Sequence, residues 1–167
     1  MRRKDRELSQ DEALHIIDSA QYAVVSCIDG GEIFSVPISI VRDKDSIFLH
    51  GAKGGSKASL FKDGKDVELV CVIDVKVPKF SKEQINNILE QGKASNIFTT
   101  EYKSAIAKTK AYEVGDDERK VYALKILSQK YTPQYMKYFD DAIKEGLKIT
   151  KIYELKIQTL SAKAKII

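Results

Sequence analysis

The sequence predicts an α+β protein in which antiparallel strands form a small closed barrel with helices at its periphery. Three observations support this fold class. Four strand-like apolar runs lie in the first half of the chain, a long segment rich in β-branched and aromatic residues follows, and two helical patterns precede a last alternating strand. The length of 167 residues suits a single domain spanning residues 1–167.

The composition argues against several classes of protein. Hydrophobic residues make up 43% and charged residues 31% of the chain, as in globular proteins and unlike disordered ones. No apolar run approaches the ~20 residues that cross a bilayer, and the basic start is not followed by a signal-like segment, so we expect a cytoplasmic protein. The charges behind the net +4 are interspersed, which gives little reason to expect nucleic-acid binding. Cys27 and Cys71 match no zinc pattern and are expected to be buried free thiols.

The first half of the chain contains one predicted helix and four predicted strands. The capping-box pattern that begins at Ser9 predicts a helix over about residues 10–20. A hairpin turn at Asp29-Gly30-Gly31 joins the first two strands. Pro37 lies within the second strand and cannot donate to a ladder, so it marks a sheet edge, a bulge or a place where a ligand meets exposed backbone. The predicted strands are residues 22–28, 33–41, 47–50 and 67–75.

The second half begins with an ambiguous segment, residues 76–92, in which the spacing of the apolar residues favours a short insertion helix. Residues 98–114 lack proline and glycine and predict a long strand with a possible bulge. Acidic residues 116–118 suit the first turn of a helix, and Thr132-Pro133 suits the start of another. Alternation over residues 149–160 predicts a closing, half-exposed strand.

The stretch IFLHGAKGGSKASLFKDG, residues 47–64, joins a strand to a glycine-rich turn and a short helical segment. Gly54-Gly55 allows close backbone approach, and Ser56 and Lys57 follow at once. If a helix begins there, its free amides, a hydroxyl and an ammonium converge, which suits a phosphate monoester. The order of residues is not that of a nucleoside-triphosphate loop. An ordinary strand-turn-helix corner with a solvated lysine remains the alternative.

Several short motifs occur in one order along the chain: the opening MRRKDRE, the segment Val36-Pro37-Ile38, the corner from His50 to Lys57 and the run Tyr102-Lys103-Ser104-Ala105-Ile106. As a series they resemble the flavin-binding split-barrel family, and more narrowly its nitroimidazole-resistance branch, which is related to the pyridoxamine 5′-phosphate oxidases. The resemblance implies a six-stranded antiparallel split barrel and a homodimer with one FMN at each end of its interface.

The resemblance also implies roles for individual residues. Val36-Pro37-Ile38-Ser39 matches the strand that runs along the isoalloxazine, and His50-Gly51-Ala52 matches the strand end beside the ribityl chain. Lys57 matches the lysine that meets the phosphate, and Tyr102 and Ser104 match residues near the flavin and the interface.

This chain departs from the family pattern in three places. Ser39 stands where many relatives have asparagine, Gly54-Gly55 is unusually rich in glycine, and residues 76–96 are poorly matched. The first departure affects contacts at the flavin edge, and the last leaves the substrate side undefined.

Two functions follow from the resemblance. One is an FMN-dependent oxidoreductase that passes electrons from NAD(P)H to a small acceptor such as a nitro compound or a quinone. The other is a non-catalytic protein that holds flavin or haem for storage, sensing or transfer. A pyridoxamine-phosphate oxidase proper is less well supported, because its arginine-rich substrate contacts are not evident.

The flavin hypothesis agrees with the residues, since the sequence contains no convincing nucleophile-base or paired-carboxylate constellation and a flavin would carry the chemistry itself. His50 is a candidate for proton delivery or substrate contact, and a structural histidine at a strand end is the alternative. No metal site is predicted. The strands at 67–75 and 98–114 carry more apolar positions than one small barrel can bury, which independently favours a homodimer.

Overall fold

A computed structural model describes residues 3–167. Met1 and Arg2, which belong to the opening MRRKDRE, lie outside the described residues. Within residues 3–167, eight strands form one sheet: β1 (Glu7–Leu8), β2 (Ala23–Asp29), β3 (Glu32–Ile38), β4 (Val41–Asp43), β5 (Ser46–Ala52), β6 (Lys65–Lys76), β7 (Glu101–Glu113) and β8 (Thr150–Lys165). The same residues contain five α-helices: α1 (Gln10–Ser19), α2 (Ser56–Leu60), α3 (Lys82–Glu90), α4 (Asp117–Tyr131) and α5 (Phe139–Gly146).

All strand pairs are antiparallel, and the strand order is β3-β2-β6-β7-β8-β5-β4, with β1 paired to β8. The predicted α+β antiparallel split barrel is therefore confirmed. The sheet has eight strands where the resemblance implied six; β1 and β4 are only two and three residues long. In the described part of the chain, no ladder joins β3 to β4, so the sheet stays open between its terminal strands.

Two apolar clusters stabilise the fold. In the larger one, Ala13, Ile16 and Ile17 of α1 are fully buried together with residues from the inward face of the sheet. The helix begins at the predicted capping box, in which the Ser9 hydroxyl accepts from the Glu12 amide. The apolar face of α1 thus packs on the main core, while its opposite face is exposed at the periphery of the sheet. A second cluster packs α4 on the other face of β5 and β8: Val41, Phe48, Val114, Ala123, Leu127 and Ile152.

A backbone crossover interrupts the strand predicted over residues 33–41. Ser39 and Ile40 leave β3 and carry the chain to β4, at the other end of the sheet order. Ile40 is fully buried, so its backbone groups need partners outside the ladder. The Tyr131 hydroxyl accepts from the Ile40 amide at 3.0 Å, and the Lys130 ammonium donates to the carbonyls of Ile40 at 3.0 Å and Ala20 at 2.9 Å.

Other element boundaries follow local sequence more closely. The short helix favoured within residues 76–92 is α3, with its own capping box at Ser81 and Gln84. The long strand begins at Glu101, and its register with β8 shifts where β8 carries Gln158 as an extra residue. The helix predicted to start at Thr132-Pro133 begins as a 3-10 helix over Pro133–Tyr138, and α5 follows it. The closing strand continues beyond residue 160 because it pairs with β7 and β1 there.

Cys27 and Cys71 are buried and unbridged, as predicted. Burial raises the pKa of the Cys71 thiol to about 12. None of the helices in residues 3–167 is long and apolar enough to span a membrane.

A partly buried ion pair attaches α4 to the sheet. Glu154 on β8 is only 7% exposed, and its carboxylate accepts from Arg119 at 2.7 and 3.2 Å and from the Ser46 hydroxyl at 2.6 Å. The Arg119 guanidinium also lies 5.2 Å from the centroid of the Phe48 ring. Burial raises the pKa of Glu154, but the bonds from Arg119 and Ser46 outweigh it, so the pKa lies below its ordinary value.

We expect Arg119→Met to lower the free energy of unfolding by about 1–3 kcal/mol at neutral pH, because Glu154 loses its charged donor. The folded-state pKa of Glu154 lies below the unfolded value, so its contribution is present above the ordinary carboxyl pKa and is lost as pH falls through the folded pKa. The difference between variant and wild type should therefore shrink on acidification. Urea unfolding at several pH values measures this. Lys144→Met, which breaks an exposed ion pair with Asp141, should lower the free energy of unfolding by less than about 1 kcal/mol. An Arg119→Met effect no larger than this control would contradict the assignment.

Candidate functional site

The glycine-rich corner connects the end of β5 to α2. Gly55 adopts a φ of +99°, which favours glycine, and it precedes Ser56, the first residue of the helix. The Ala58 amide bonds back to the Gly55 carbonyl at 3.0 Å. The amides that precede Ala58 have no intrahelical carbonyl within reach, so they can donate to a ligand. With only five residues, α2 has a small dipole, and an anion here depends mainly on Ser56, Lys57 and these amides.

The Lys57 side chain lies across Gly51. A Cβ added to Gly51 would sit 3.0 Å from Lys57 Cε, 4.0 Å from Lys57 Nζ and 3.5 Å from Tyr153 Cε2. Glycine at this position therefore provides the space in which the lysine lies. The sequence placed Gly51 and Lys57 in one corner, and the structure brings them into contact.

Two aromatic contacts join this corner to β3. The Phe34 ring of β3 packs edge-on against Phe61 with centroids 6.1 Å apart, and Phe61 packs edge-on against Tyr153 at 5.8 Å. Val36 and Ile38 follow Phe34 on the same partly buried face of the strand. Val36 and Ile38 belong to the segment predicted to run along a flavin ring. They lie about 7–13 Å along β3 from Phe34, the residue that contacts the corner.

Pro37 lies on a sheet edge, which is one of the three settings predicted for it. It pairs with Val24 of β2, and β3 is the first strand in the sheet order. Ser39 follows the end of β3 and lies near the Tyr131 hydroxyl of α4. His50, Gly51 and Ala52 are the last residues of β5, where β4 no longer pairs with it.

Tyr102 and Ser104 are not part of this corner. They alternate along β7 with Ala105 and Ala107, which are buried in the core, so they face the outer side of the sheet. Glu113, at the end of β7, is in register with Tyr153. Ser104 lies nine residues before Glu113, which is roughly 30 Å along the strand. A single chain therefore does not place these two residues beside Lys57.

His50 is exposed at the strand end, and its ring is partly desolvated. Burial and the nearby Lys57 ammonium both lower the pKa of His50 from its ordinary value. The neutral imidazole is favoured near neutral pH, which suits a group that accepts or relays a proton.

Tyr153 was not among the predicted site residues. Its ring is fully buried, and among residues 3–167 its hydroxyl is the one buried side-chain polar atom without a hydrogen-bond partner. The alternation of the last strand placed Tyr153 on the inward face, but nothing local indicated that it would lie beside Gly51. Within the same residues, no group of three or more His, Cys, Asp or Glu side chains could hold a metal ion.

We expect Lys57→Met to raise the pKa of His50, because it removes the nearby positive charge but keeps most of the side-chain volume. Titration of the imidazole proton by NMR measures this directly. His15 provides an internal reference, and Lys53→Met controls for removing a lysine from the same loop. An unchanged His50 titration in Lys57→Met would mean that the ammonium does not act on the ring.

Comparison with known proteins agrees with this architecture. A family profile described as pyridoxamine 5′-phosphate oxidase matches residues 9–164. No curated protein sequence matches the chain.

Solved structures with similar folds include a candidate 5-nitroimidazole antibiotic resistance protein from Bacteroides thetaiotaomicron, with 19% identity, 95% of this chain and 86% of the other covered, and a TM-score of 0.71. An FAD and haem binding protein from Mycobacterium smegmatis has 19% identity, 95% and 72% coverage and a TM-score of 0.73. A flavocytochrome from Azotobacter vinelandii has 19% identity, 95% and 68% coverage and a TM-score of 0.70. At this identity the structural neighbours support the fold, and the profile match covers nearly the whole chain. The chain belongs to the pyridoxamine 5′-phosphate oxidase family.

Proposed function

We propose that this protein binds FMN and acts as an oxidoreductase that transfers electrons from NAD(P)H to a small acceptor of the nitro-compound or quinone type. The observation that carries the proposal is the contact of Lys57 with Gly51 at the corner, joined through aromatic rings to the open edge strand β3. The first part suits a phosphate and the second suits a planar ring system.

The corner fits the phosphate end of FMN. Lys57 supplies a positive charge, Ser56 a hydroxyl, and the backbone before Ala58 supplies free amides. Gly51 leaves the space in which the lysine lies, and a side chain there would come within 3.0 Å of Lys57 Cε.

The edge of β3 fits the isoalloxazine. Backbone groups on the outer edge of Val36-Pro37-Ile38 have no neighbouring strand in the described sheet, so they are available to the polar edge of a ring. Ser39 stands next in sequence but lies beyond the end of β3, so we assign it a lesser role. His50 and Ala52 are the neighbours of Gly51 at the end of β5, and we propose that this strand end lies beside the ribityl chain.

When bound, FMN supplies the electron-transfer chemistry. The chain binds and orients it, and His50, whose lowered pKa favours the neutral imidazole, is the residue we propose to relay a proton to the acceptor. A side chain that only assists proton transfer contributes about 10²–10⁴-fold, so loss of His50 should be less severe than loss of flavin.

A basic cavity beside the corner supports a dinucleotide reductant. The cavity has a volume of ≈ 860 Å³, and its lining contains five lysines and two carboxylates, which give it a net charge of +3. Such a cavity suits the phosphates of NAD(P)H. The five lysines are Lys53, Lys120, Lys144, Lys148 and Lys151.

The alternative function is non-catalytic binding of flavin or haem. It is favoured by the neighbours described as an FAD and haem binding protein and as a flavocytochrome. If haem is the ligand, His50, which lies at the corner, would be the candidate residue to hold its iron.

Oxidised protein should be yellow, should bleach with NADH or NADPH, and should recover its colour when a quinone or nitro compound is added. These visible spectra separate the two functions, since a flavin carrier would stay yellow without catalytic turnover. A red protein with a haem spectrum would replace the proposal with the alternative. His50→Ala should retain the flavin spectrum, and its turnover should be reduced but still measurable.

We further propose that the site is completed in a homodimer. The outer face of the sheet exposes Val24 at 44% and Val72 at 49%, and Val72 is in register with Ser104. Tyr102 and Ser104 continue the same face of β7. A second copy seated on this face would bury the apolar residues and bring its own Tyr102 and Ser104 to the flavin of the first.

Val72→Glu should convert the dimer to a monomer at micromolar concentration, because symmetry would bury the new charge on both sides of the interface. Analytical ultracentrifugation and flavin titration of the same samples test this, and FMN affinity should fall with dimerisation. Tyr135→Glu, at an exposed position outside the sheet, should leave both unchanged. A flavin-loaded wild-type monomer would overturn the dimer proposal.

A further inference from the structure

We propose that the Tyr153 hydroxyl donates a hydrogen bond to the phosphate of bound FMN and shares that phosphate with Lys57 above Gly51. This inference rests on the proposed flavin binding and adds a phosphate ligand from the last strand of the sheet. It makes Tyr153 a cofactor-binding residue and not only a core side chain.

The first support is the missing partner. Tyr153 is 0% exposed, and its hydroxyl has no hydrogen-bond partner within residues 3–167. Buried tyrosine hydroxyls normally have one, because the desolvated O–H is otherwise costly. Tyr131 follows the usual pattern, since its hydroxyl contacts the backbone at Gln21 and Ile40. Tyr153 departs from this pattern, and it lies at the corner where an anion is proposed.

The second support is position. The ring carbon next to the hydroxyl-bearing carbon of Tyr153 and the carbon that carries the Lys57 ammonium both border the space above Gly51, at 3.5 and 3.0 Å from a Cβ built there. The edge-on contact with Phe61, at 88° between ring planes, restrains the tyrosine ring. The hydroxyl is therefore kept near the lysine and does not rotate into solvent.

The third support is the chemistry of the available groups. An ammonium only donates, so Lys57 cannot accept the Tyr153 proton. Glu113 is the nearby carboxylate, but it accepts from Lys151 at 2.7 Å and makes no bond to Tyr153. Burial, followed by the charge of Glu113, raises the pKa of Tyr153, so the phenol remains a donor. A phosphate would accept from the phenol and the ammonium together.

A phosphate can reach the buried Tyr153 hydroxyl only if a neighbouring group moves, and the Lys57 side chain borders the same space above Gly51. It is long and half-buried, and it approaches Gly51 with its flexible end. We infer that it moves toward the phosphate on binding and uncovers Tyr153. Gly51→Ala would place a methyl group in this space and should weaken FMN binding without any change of charge.

The test compares Tyr153→Phe with wild type, using flavin-free protein titrated with FMN and with riboflavin by flavin fluorescence at fixed salt. FMN affinity should fall about 10- to 100-fold, as expected for a hydrogen bond to a charged group, and riboflavin affinity should stay within about twofold. The thermal midpoint of the flavin-free variant should equal or exceed that of wild type, because an unpartnered hydroxyl has been removed.

Two further variants make the assignment specific. Lys57→Met should also lose FMN selectively, and the double variant should lose less than the sum of the two effects, because both residues act on one phosphate. Tyr112→Phe, which removes a part-exposed hydroxyl from the same end of the sheet, should match wild type in every assay.

Unchanged FMN affinity in Tyr153→Phe, an equal loss of riboflavin, or a lower thermal midpoint without flavin would each overturn the inference. If Lys57→Met still loses FMN selectively, the proposed function stands and only the role of Tyr153 is wrong. If wild type binds neither flavin, the proposed function and this inference fail together.

Discussion

The crossover at Ser39-Ile40 is the constraint on which the rest of the structure depends. The chain leaves one terminal strand there and enters the other, so the buried Ile40 cannot obtain its hydrogen bonds from a ladder. Lys130 and Tyr131, at the end of α4, supply them. Burial lowers the pKa of Lys130, yet two carbonyls accept from its ammonium. Helix α4 thereby fixes where β3 ends and β4 begins, and the ion pair of Arg119 with Glu154 fixes its other end.

Much of the fold was predictable because its signals are local. The capping box at Ser9 begins α1, and a second capping box at Ser81 begins α3. Apolar runs, β-branched and aromatic content, and alternation in the last strand together located the long strands. The crossover was missed because the residues that allow it, Lys130 and Tyr131, are about 90 positions away from Ile40 in the sequence. No pattern within residues 33–41 distinguishes an interrupted strand from a continuous one.

In the candidate site, too, some contacts were predictable from local sequence and others depend on the topology of the sheet. The proximity of Gly51 and Lys57 was predictable, since they are close in sequence and joined by a tight turn. That Tyr153 borders the same space depends on the pairing of β5 with β8, which brings together residues 100 positions apart. The separation of Tyr102 and Ser104 from the corner also depends on topology: the family motifs name these residues, but only the strand directions show that they face another side of the sheet.

The open edge of β3 has a consequence for solubility. An unpaired strand edge can recruit an edge from another molecule and extend the sheet indefinitely, which leads to aggregation. Pro37 removes one amide from this strand, and the strand is followed at once by a crossover that leaves the plane of the sheet. A ladder added along β3 would lack a donor at Pro37 and would end at the crossover, although the carbonyls of the strand remain accessible to a small molecule. The same proline that suits a ligand-facing strand thus protects the protein against polymerisation through that strand.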